Sequence, residues 1–186
     1  IRLKVSNSEG IVSMVENNII DLGVVESPVS NRNLLVEVCQ QDQLVLVVPP
    51  DHPLAGEKKA TLDQILLQPF ICREEGSGTR EVIVDYMASQ GVDKNALGVC
   101  LELGSPEAIK GAVEAGMGVS ILSRATVEKE LALKRLVAIP LAPPLERPFS
   151  FVRQRQKFRL RAMEELLEFA RNYCQVHAGD LPRTDA

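Results

Sequence analysis

The chain has 186 residues, of which 45% are hydrophobic and 4% aromatic, and its formal net charge at pH 7 is −4. That length allows one ordinary domain or two small lobes, and the slightly acidic balance argues against the broad basic surface of a nucleic-acid-binding module. With no tryptophan, the core must be filled by valine, leucine, isoleucine and alanine, which favours an α/β protein with buried strands.

Nothing in the sequence indicates a membrane protein or an exported one. No stretch is apolar enough to cross a bilayer, and no signal peptide is visible. The chain opens on Ile1 and runs at once into a strand-like segment, so we expect it to be a fragment. The cysteines are widely spaced without a C-x-x-C pair, and we interpret them as buried, reduced thiols of a cytoplasmic protein. They are Cys39, Cys72, Cys100 and Cys174.

The first half of the sequence reads as strands alternating with helices. Residues 2–5 alternate polar and apolar side chains as a strand does, and a helix then begins with a capping box of Ser6 and Glu9, or at Ser8. A short strand at residues 19–25 would complete a parallel strand–helix–strand unit. Further strands are predicted at residues 33–39, 43–48 and 69–72, with a short helix at 61–67 capped by Thr61.

The second half follows the same alternation. A helix after residue 80 carries Val82, Ile83, Tyr86 and Met87 on one face and stops at Gly91. Later strands are predicted at residues 99–103, 119–122, 136–139 and 149–152, with helices from Ser105 to Gly116, at 126–131 and at 160–174, the last with Met163, Leu166, Leu167 and Ala170 inward. The proline-rich segment 140–148 is expected to cross between regions, and the patternless tail 179–186 to be mobile.

Groups that could catalyse a reaction are scarce. The two histidines, His52 and His177, lack metal-ligand partners at usable spacing, so no metal or cofactor is expected. Nucleophile-elbow, Walker and complete dinucleotide-binding motifs are absent. Glu74 and Glu75 would point to opposite faces of a strand, so they do not form an acid–base pair. We therefore expect no enzyme.

The most informative segment is the loop Gly76, Ser77, Gly78, Thr79 and Arg80, between a strand and a helix. The first amides of the helix have no partners within it, two hydroxyl groups lie beside them, and the positive end of the helix dipole faces the same point. These groups could hold a carboxylate, sulfate or phosphate. The alternative is a plain turn in which Ser77 or Thr79 caps the helix.

Two other helix starts resemble this loop. They are residues 6–8 and residues 104–106. If the sheets are parallel, all three lie at carboxyl ends of strands, where ligands bind in open α/β sheets, although capping alone would explain either of the two.

A basic cluster stands apart from the acidic balance of the chain. It is interpreted as a solvated surface, with anion binding as the alternative. Its members are Arg153, Arg155, Lys157, Arg159 and Arg161.

Several segments of the sequence form a familiar set when they are taken together. They are residues 21–26, 44–55, 75–80, 103–110 and 115–119. This set resembles the regulatory domain of LysR-type transcriptional regulators, occurs in the order of that family and covers the chain from Ile1 to about Cys174. The segments are most similar to those of members that govern sulfur assimilation or carbon fixation.

The resemblance implies an α/β fold like that of type II periplasmic solute-binding proteins, with two Rossmann-like lobes joined by two crossovers and an effector in the cleft. Lobe I would comprise residues 1–68 and 147–178, and lobe II residues 69–146, with crossovers around residues 68–69 and 143–148. The family's first strand and helix of lobe I would be missing before Ile1.

The resemblance also implies which residues bind the effector and which form a dimer. The effector, a small anionic metabolite or inorganic anion, would be held by serine and threonine groups from both lobes. The effector-binding residues would be Asn7, Ser8, Gly76, Ser77, Gly78, Thr79 and Ser105. The side-by-side homodimer would use Ile11, Met14, Val15, Val82, Ile83 and Tyr86.

These implications lead to a functional hypothesis. The chain would be the effector-sensing domain of a LysR-type regulator without its winged helix-turn-helix, so that DNA binding, and a tetramer, belong to the full-length protein. An anion bridging Ser8 and the loop at Ser77 and Thr79 would change the lobe angle and thereby the dimer. The alternative is a stand-alone solute-binding protein of the same fold.

Overall fold

The computed structural model describes residues 1–156 and 161–177. The chain forms two units. The first comprises Ile1–Gln41 and Pro148–Ala186, and the second Asp42–Arg147. The helices are α1 (Ser8–Glu16), α2 (Leu62–Leu66), α3 (Gly78–Ser89), α4 (Pro106–Glu114), α5 (Glu128–Ala132) and α6 (Arg161–His177), with 3₁₀ turns at Pro53–Gly56 and Lys94–Ala96. The strands are β1 (Gly23–Val25), β2 (Leu34–Val48), β3 (Ala60–Thr61), β4 (Phe70–Arg73), β5 (Val99–Leu103), β6 (Ser120–Ser123) and β7 (Val137–Gln154).

In the first unit, helices α1 and α6 pack against two paired strands, β1 and the end of β7. That pairing is antiparallel, with Gly23 opposite Val152. One apolar cluster packs α1 against these strands and contains Ile11, Val15, Val25, Leu34 and Val152. A second cluster joins α6 to β7 through Phe151, Met163 and Leu167. Leu166, expected to face inward, is 40% exposed, so the buried face of α6 is narrower than its apolar sequence suggests.

The second unit contains strands that are buried on both faces. The end of β2 pairs antiparallel with β6, and β4 pairs parallel with β5. Because side chains alternate along a strand, neighbouring residues belong to opposite cores. Leu44, Leu46 and Phe70 pack in the cluster that includes α3. Val45 and Ile71 pack in the cluster that includes α4, which confirms the expected aliphatic core.

Local signals in the sequence place several helix ends correctly. Thr61 caps α2 with a full capping box completed by Gln64, and Ser105 caps α4 by accepting a hydrogen bond from the Ala108 amide over 3.2 Å. At the first helix the expectation was wrong. Asn7 is the cap of α1, since its Oδ1 accepts from the Gly10 amide over 2.9 Å, and neither Ser6 nor Ser8 caps it.

Strand boundaries differ more from the predictions. Residues 1–5 form no strand and are exposed, and the strand predicted at 19–25 shortens to β1, which pairs antiparallel with β7. The predicted parallel strand–helix–strand unit is therefore absent from the described residues. The strands predicted at 33–39 and 43–48 are one strand, β2, and the proline-rich segment 140–148 lies within the long strand β7.

The first division between the units also differs from expectation. It falls at Asp42, within β2, and not near residues 68–69, whereas the second falls at Arg147, inside the expected region. The reason is strand pairing: residues 44–47 of β2 pair with β6, so this half of the strand belongs to the second core. The predicted tail 179–186 lies outside the described residues. No helix in the described part of the chain could span a membrane.

Candidate functional site

The loop between β4 and α3 is a tight turn that ends in a buried helix start. Gly76 has φ of 80°, a conformation that favours glycine, and the Ser77 amide donates to the Glu74 carbonyl over 3.2 Å. Ser77 occupies the N-cap position of α3. Ser77 and Thr79 are only 3% and 4% exposed, so both residues are buried in the second unit.

The first turn of α3 keeps its hydrogen-bond donors available. Ser77 makes no side-chain capping bond, although it stands at the cap. Among the hydrogen bonds of residues 1–156 and 161–177, none is donated by the amides of residues 78–80. Side chains, water or a ligand satisfy such amides at helix starts. The plain-cap alternative therefore does not describe Ser77, and the loop offers amides and a hydroxyl group to an acceptor.

Thr79 belongs to a chain of four buried polar side chains. Arg147 donates from Nη1 to Thr79 Oγ1 over 2.7 Å and from Nε to Asp42 Oδ2 over 2.9 Å. The other carboxylate oxygen, Asp42 Oδ1, accepts from Ser123 Oγ over 2.7 Å. Arg147 and Asp42 are 2% and 3% exposed. The network therefore places a paired positive charge directly behind Thr79.

The direction of the Thr79 bond has a chemical consequence. A guanidinium group has only donors, so Thr79 Oγ1 must be the acceptor in its bond with Arg147. The hydroxyl hydrogen of Thr79 is consequently free to be donated elsewhere. Arg147 thus turns Thr79 into a donor, which is the role required to bind an anion.

Charged groups beside the loop are largely paired with each other. Arg73 forms a two-pronged ion pair with Glu74, with contacts of 2.7 and 2.9 Å. Arg80 donates to Glu102 over 2.6 Å and to the Arg73 carbonyl over 3.1 Å. The hydrogen bond that Arg80 donates to Glu102 raises the pKa of Arg80, so this guanidinium stays charged. These pairs fix the loop's ends and leave hydroxyl and amide donors as its binding groups.

Ser105 lies at the same edge of the sheet as the loop. Strands β4 and β5 are parallel with Arg73 opposite Leu103, so the segments that follow both strands emerge on one side. The Ser105 oxygen is occupied by capping α4, but its hydroxyl hydrogen can still be donated. The expectation that these two helix starts share the carboxyl edge of a parallel pair is confirmed.

Asn7 and Ser8 lie in the first unit, at the start of α1. Asn7 accepts from the Gly10 amide, and Ser8 Oγ accepts from the Glu26 amide over 3.4 Å. Both side chains thus have structural partners. Their assignment to effector binding stays a prediction.

Five of the six side chains assigned to a dimer interface are buried within their own chain. Ile11 and Val15 pack in the core of the first unit, and Met14 is partly buried against it. The three assigned side chains of α3, Val82, Ile83 and Tyr86, are 4–7% exposed and belong to the core of the second unit. Each helix thus uses its apolar face to cover the core of its own unit, and the assignment of these side chains to a dimer interface stays a prediction.

Other candidate groups in the sequence have structural roles. His52 caps the 3₁₀ turn Pro53–Gly56, as its Nδ1 accepts from the Leu54 amide over 3.2 Å. In the basic cluster, Arg155 donates to backbone carbonyls of Arg32 and Leu34, and Arg161 pairs with Glu165. Lys157 and Arg159 lie outside the described residues. Within the described ranges no group of three or more potential metal ligands occurs.

The sequence reasoning missed Asp42, Arg147 and Ser123. The available signal was a charged residue inside an otherwise strand-like stretch: Asp42 within β2 and Arg147 within β7. A charge in such a place is either exposed at an edge or paired in the interior. Sequence alone does not show which, since the two residues are 105 positions apart.

Comparison with known proteins provides the family. Residues 1–175 match the model described as LysR substrate binding domain. The RuBisCO operon transcriptional regulator of Allochromatium vinosum is 34% identical over 182 residues, 95% of this chain and 59% of that protein. The uncharacterised HTH-type transcriptional regulator YeiE of Escherichia coli K12 is 39% identical over 171 residues, 91% of this chain and 57% of its own. This chain therefore spans somewhat more than half the length of these relatives.

A solved structure is similar over nearly the whole chain. The regulatory domain of CcmR from Synechocystis PCC6803, in complex with 2-PG, has a TM-score of 0.84 and 32% identity, covering 94% of this chain and 83% of that one. The match confirms the predicted α/β fold of the type II periplasmic-binding-protein kind. Because the relatives are transcriptional regulators, it favours a sensing domain over a stand-alone binding protein. The chain belongs to the family of LysR substrate-binding domains.

Proposed function

We propose that this chain is the effector-sensing part of a LysR-type transcriptional regulator and that it binds a small anion at the loop of residues 76–80. The observation that carries the proposal is the bond from buried Arg147 to Thr79, which makes the Thr79 hydroxyl a donor. Donors at a helix start, aided by the helix dipole, select negatively charged groups.

Three further features support an anion over a neutral ligand. The amides of residues 78–80 and the Ser77 hydroxyl add donors beside Thr79, while Ser77 accepts no capping bond that would consume its oxygen. Glu74, two residues before the loop, has its negative charge paired with Arg73. A regulatory domain 32% identical to this chain is in complex with 2-PG, which makes that compound the first probe.

Ser105 is the natural additional contact in the same unit, because it follows the parallel neighbour of β4. Asn7 and Ser8 are retained as proposed contacts from the first unit. DNA binding, the dimer and the tetramer belong to the proposal for the full-length regulator. The assigned dimer residues of α1 and α3 are likewise retained as proposed contacts, together with exposed neighbours on the same helices such as Ser13 and Asp85.

Calorimetric titration of the chain with 2-PG, sulfate and phosphate tests the proposal. For the anion that binds, Ser77→Ala should weaken binding by about 1.5–3 kcal/mol, the value of a hydrogen bond to a charged group. The matched control is Ser89→Ala at the other end of α3, where the hydroxyl bonds only to neighbouring residues: it donates to the Tyr86 carbonyl and accepts from Gln90 Nε2. Unchanged affinity in Ser77→Ala, or equal losses in both variants, would contradict the site.

A further inference from the structure

Two cysteines distant in sequence meet in the first unit. Cys39 lies on β2 and Cys174 on α6. Both side chains line one cavity of about 320 Å³ and are partly exposed. The other two cysteines, Cys72 and Cys100, belong to the second unit.

The walls of this cavity are apolar. They include Phe149, Phe151, Leu166, Phe169 and Tyr173. The Cys39 thiol donates to the Phe149 carbonyl over 3.3 Å, which orients its sulfur at the cavity wall. The two cysteines thus share one partly exposed cavity, in contrast to the buried thiols expected from the sequence.

We propose that Cys39 and Cys174 form a dithiol site that a low-molecular-weight disulfide oxidises to an intramolecular disulfide. Such exchange proceeds by attack of a thiolate on a disulfide sulfur. The product would link β2 covalently to α6 and would oxidise the two protein sulfurs by two electrons. Those electrons reduce the small disulfide to two thiols.

The order of the two steps follows from the environment of Cys39. Burial, together with the neighbouring Cys174 and, to a smaller extent, Glu37 on the same strand, raises the pKa of the Cys39 thiol to about 11. Cys39 is therefore protonated at neutral pH and is a poor first nucleophile. Cys174 is the attacking thiol and Cys39 the resolving one.

In the first step, the Cys174 thiolate attacks one sulfur of the small disulfide. A sulfur–sulfur bond forms to Cys174, the original disulfide bond breaks, and the leaving thiolate takes up a proton. In the second step Cys39 loses its proton to solvent and attacks the Cys174 sulfur. The mixed disulfide breaks and the second small thiol leaves, so each atom and electron is accounted for.

Incubation of the whole chain with glutathione disulfide, followed by non-reducing peptide mapping, tests the proposal. We expect a cross-linked peptide pair containing Cys39 and Cys174, loss of two hydrogen atoms by intact mass, and full reversal by dithiothreitol. The variant Cys72→Ser with Cys100→Ser should give the same product. A cross-link through Cys72 or Cys100, a link between two chains, or glutathione adducts without a cross-link would overturn it.

Single variants test the roles of the two thiols. Cys39→Ser should stop at a glutathione adduct on Cys174, because the resolving thiol is gone. In Cys174→Ser the contribution of Cys174 to the raised pKa of Cys39 is lost, but burial still raises that pKa, so Cys39 should react severalfold more slowly than a cysteine in an unfolded peptide. Rapid adduct formation on Cys39 with none on Cys174 would reverse the assigned order and overturn that part of the mechanism.

Discussion

The guanidinium of Arg147 donates to the carboxylate of Asp42 over 2.9 Å, and these two residues are the ends of the second unit. The chain enters this unit at Asp42 and leaves it at Arg147. The ion pair therefore joins the two segments by which the chain passes between its units. Because Arg147 also donates to Thr79, the same side chain connects these segments to the proposed anion-binding loop.

Removing the charge of Asp42 should destabilise the chain strongly. Asp42→Asn leaves the nearly fully buried Arg147 without its carboxylate partner, and breaking a buried ion pair in this way costs about 3–5 kcal/mol. Urea unfolding measures the change. Asp85→Asn, an exposed aspartate of α3, is the matched control and should change stability little. Similar losses of stability in both variants would mean that the Asp42–Arg147 ion pair contributes no more than an exposed charge does.

The two roles of Thr79 can be separated by two substitutions. Thr79→Val keeps the shape but removes the acceptor of Arg147 Nη1, so it should lower the unfolding free energy by about 1–3 kcal/mol and weaken anion binding. Thr79→Ser keeps the hydroxyl group and should retain most of the stability and most of the anion affinity. Urea unfolding measures the stability, and calorimetry measures the anion affinity of the same samples. Full anion affinity in Thr79→Val would contradict the donor role.

The pair of Lys110 and Glu130 should make stability depend on pH. Burial alone would raise the pKa of Glu130, but its hydrogen bond with Lys110, at 3.0 Å, lowers the pKa below 4.5. A lowered folded-state pKa contributes stability that is complete above the unfolded-state value and lost as the pH falls through the folded one.

Glu130→Gln should therefore destabilise the chain at neutral pH by about 1–3 kcal/mol. The deficit should shrink as the pH falls through the lowered folded-state pKa of Glu130, where the wild-type carboxylate also becomes protonated. Glu128→Gln, an exposed glutamate on the same helix, is the control. Urea unfolding at a series of pH values gives the result, and a deficit that stays constant with pH would contradict the linkage.

Two glycines should respond to alanine with opposite signs. A Cβ atom at Gly118 would lie 2.6 Å from the Pro69 carbonyl oxygen, and this backbone cannot move without disturbing β4, so Gly118→Ala should cost about 1–3 kcal/mol. Gly111, in the middle of α4, has open space around its Cβ position. Gly111→Ala should stabilise the helix by up to about 1 kcal/mol. Thermal unfolding measures the change in stability of each variant. Changes of the same sign in both variants would contradict the packing argument.

The sequence by itself determined the features that depend on neighbours along the chain. The caps Thr61 and Ser105 and the buried face of α3 follow from hydrogen bonds and side-chain spacing within one or two turns. The loop of residues 76–80 was recognisable because glycine and hydroxyl residues at a helix start have a local chemical meaning. The family resemblance, spread over several such segments, extended these local signals to the fold.

Only the tertiary structure decided which distant residues meet. The pairing of β2 with β6 places the first division between the units at Asp42, and packing decides which faces of α1 and α3 are buried within each core. The contact of Arg147 with Asp42 and the cavity shared by Cys39 and Cys174 bring together residues more than a hundred positions apart. Spacing along the chain carries no signal for such pairs, because their proximity results from strand order and packing rather than from local backbone geometry.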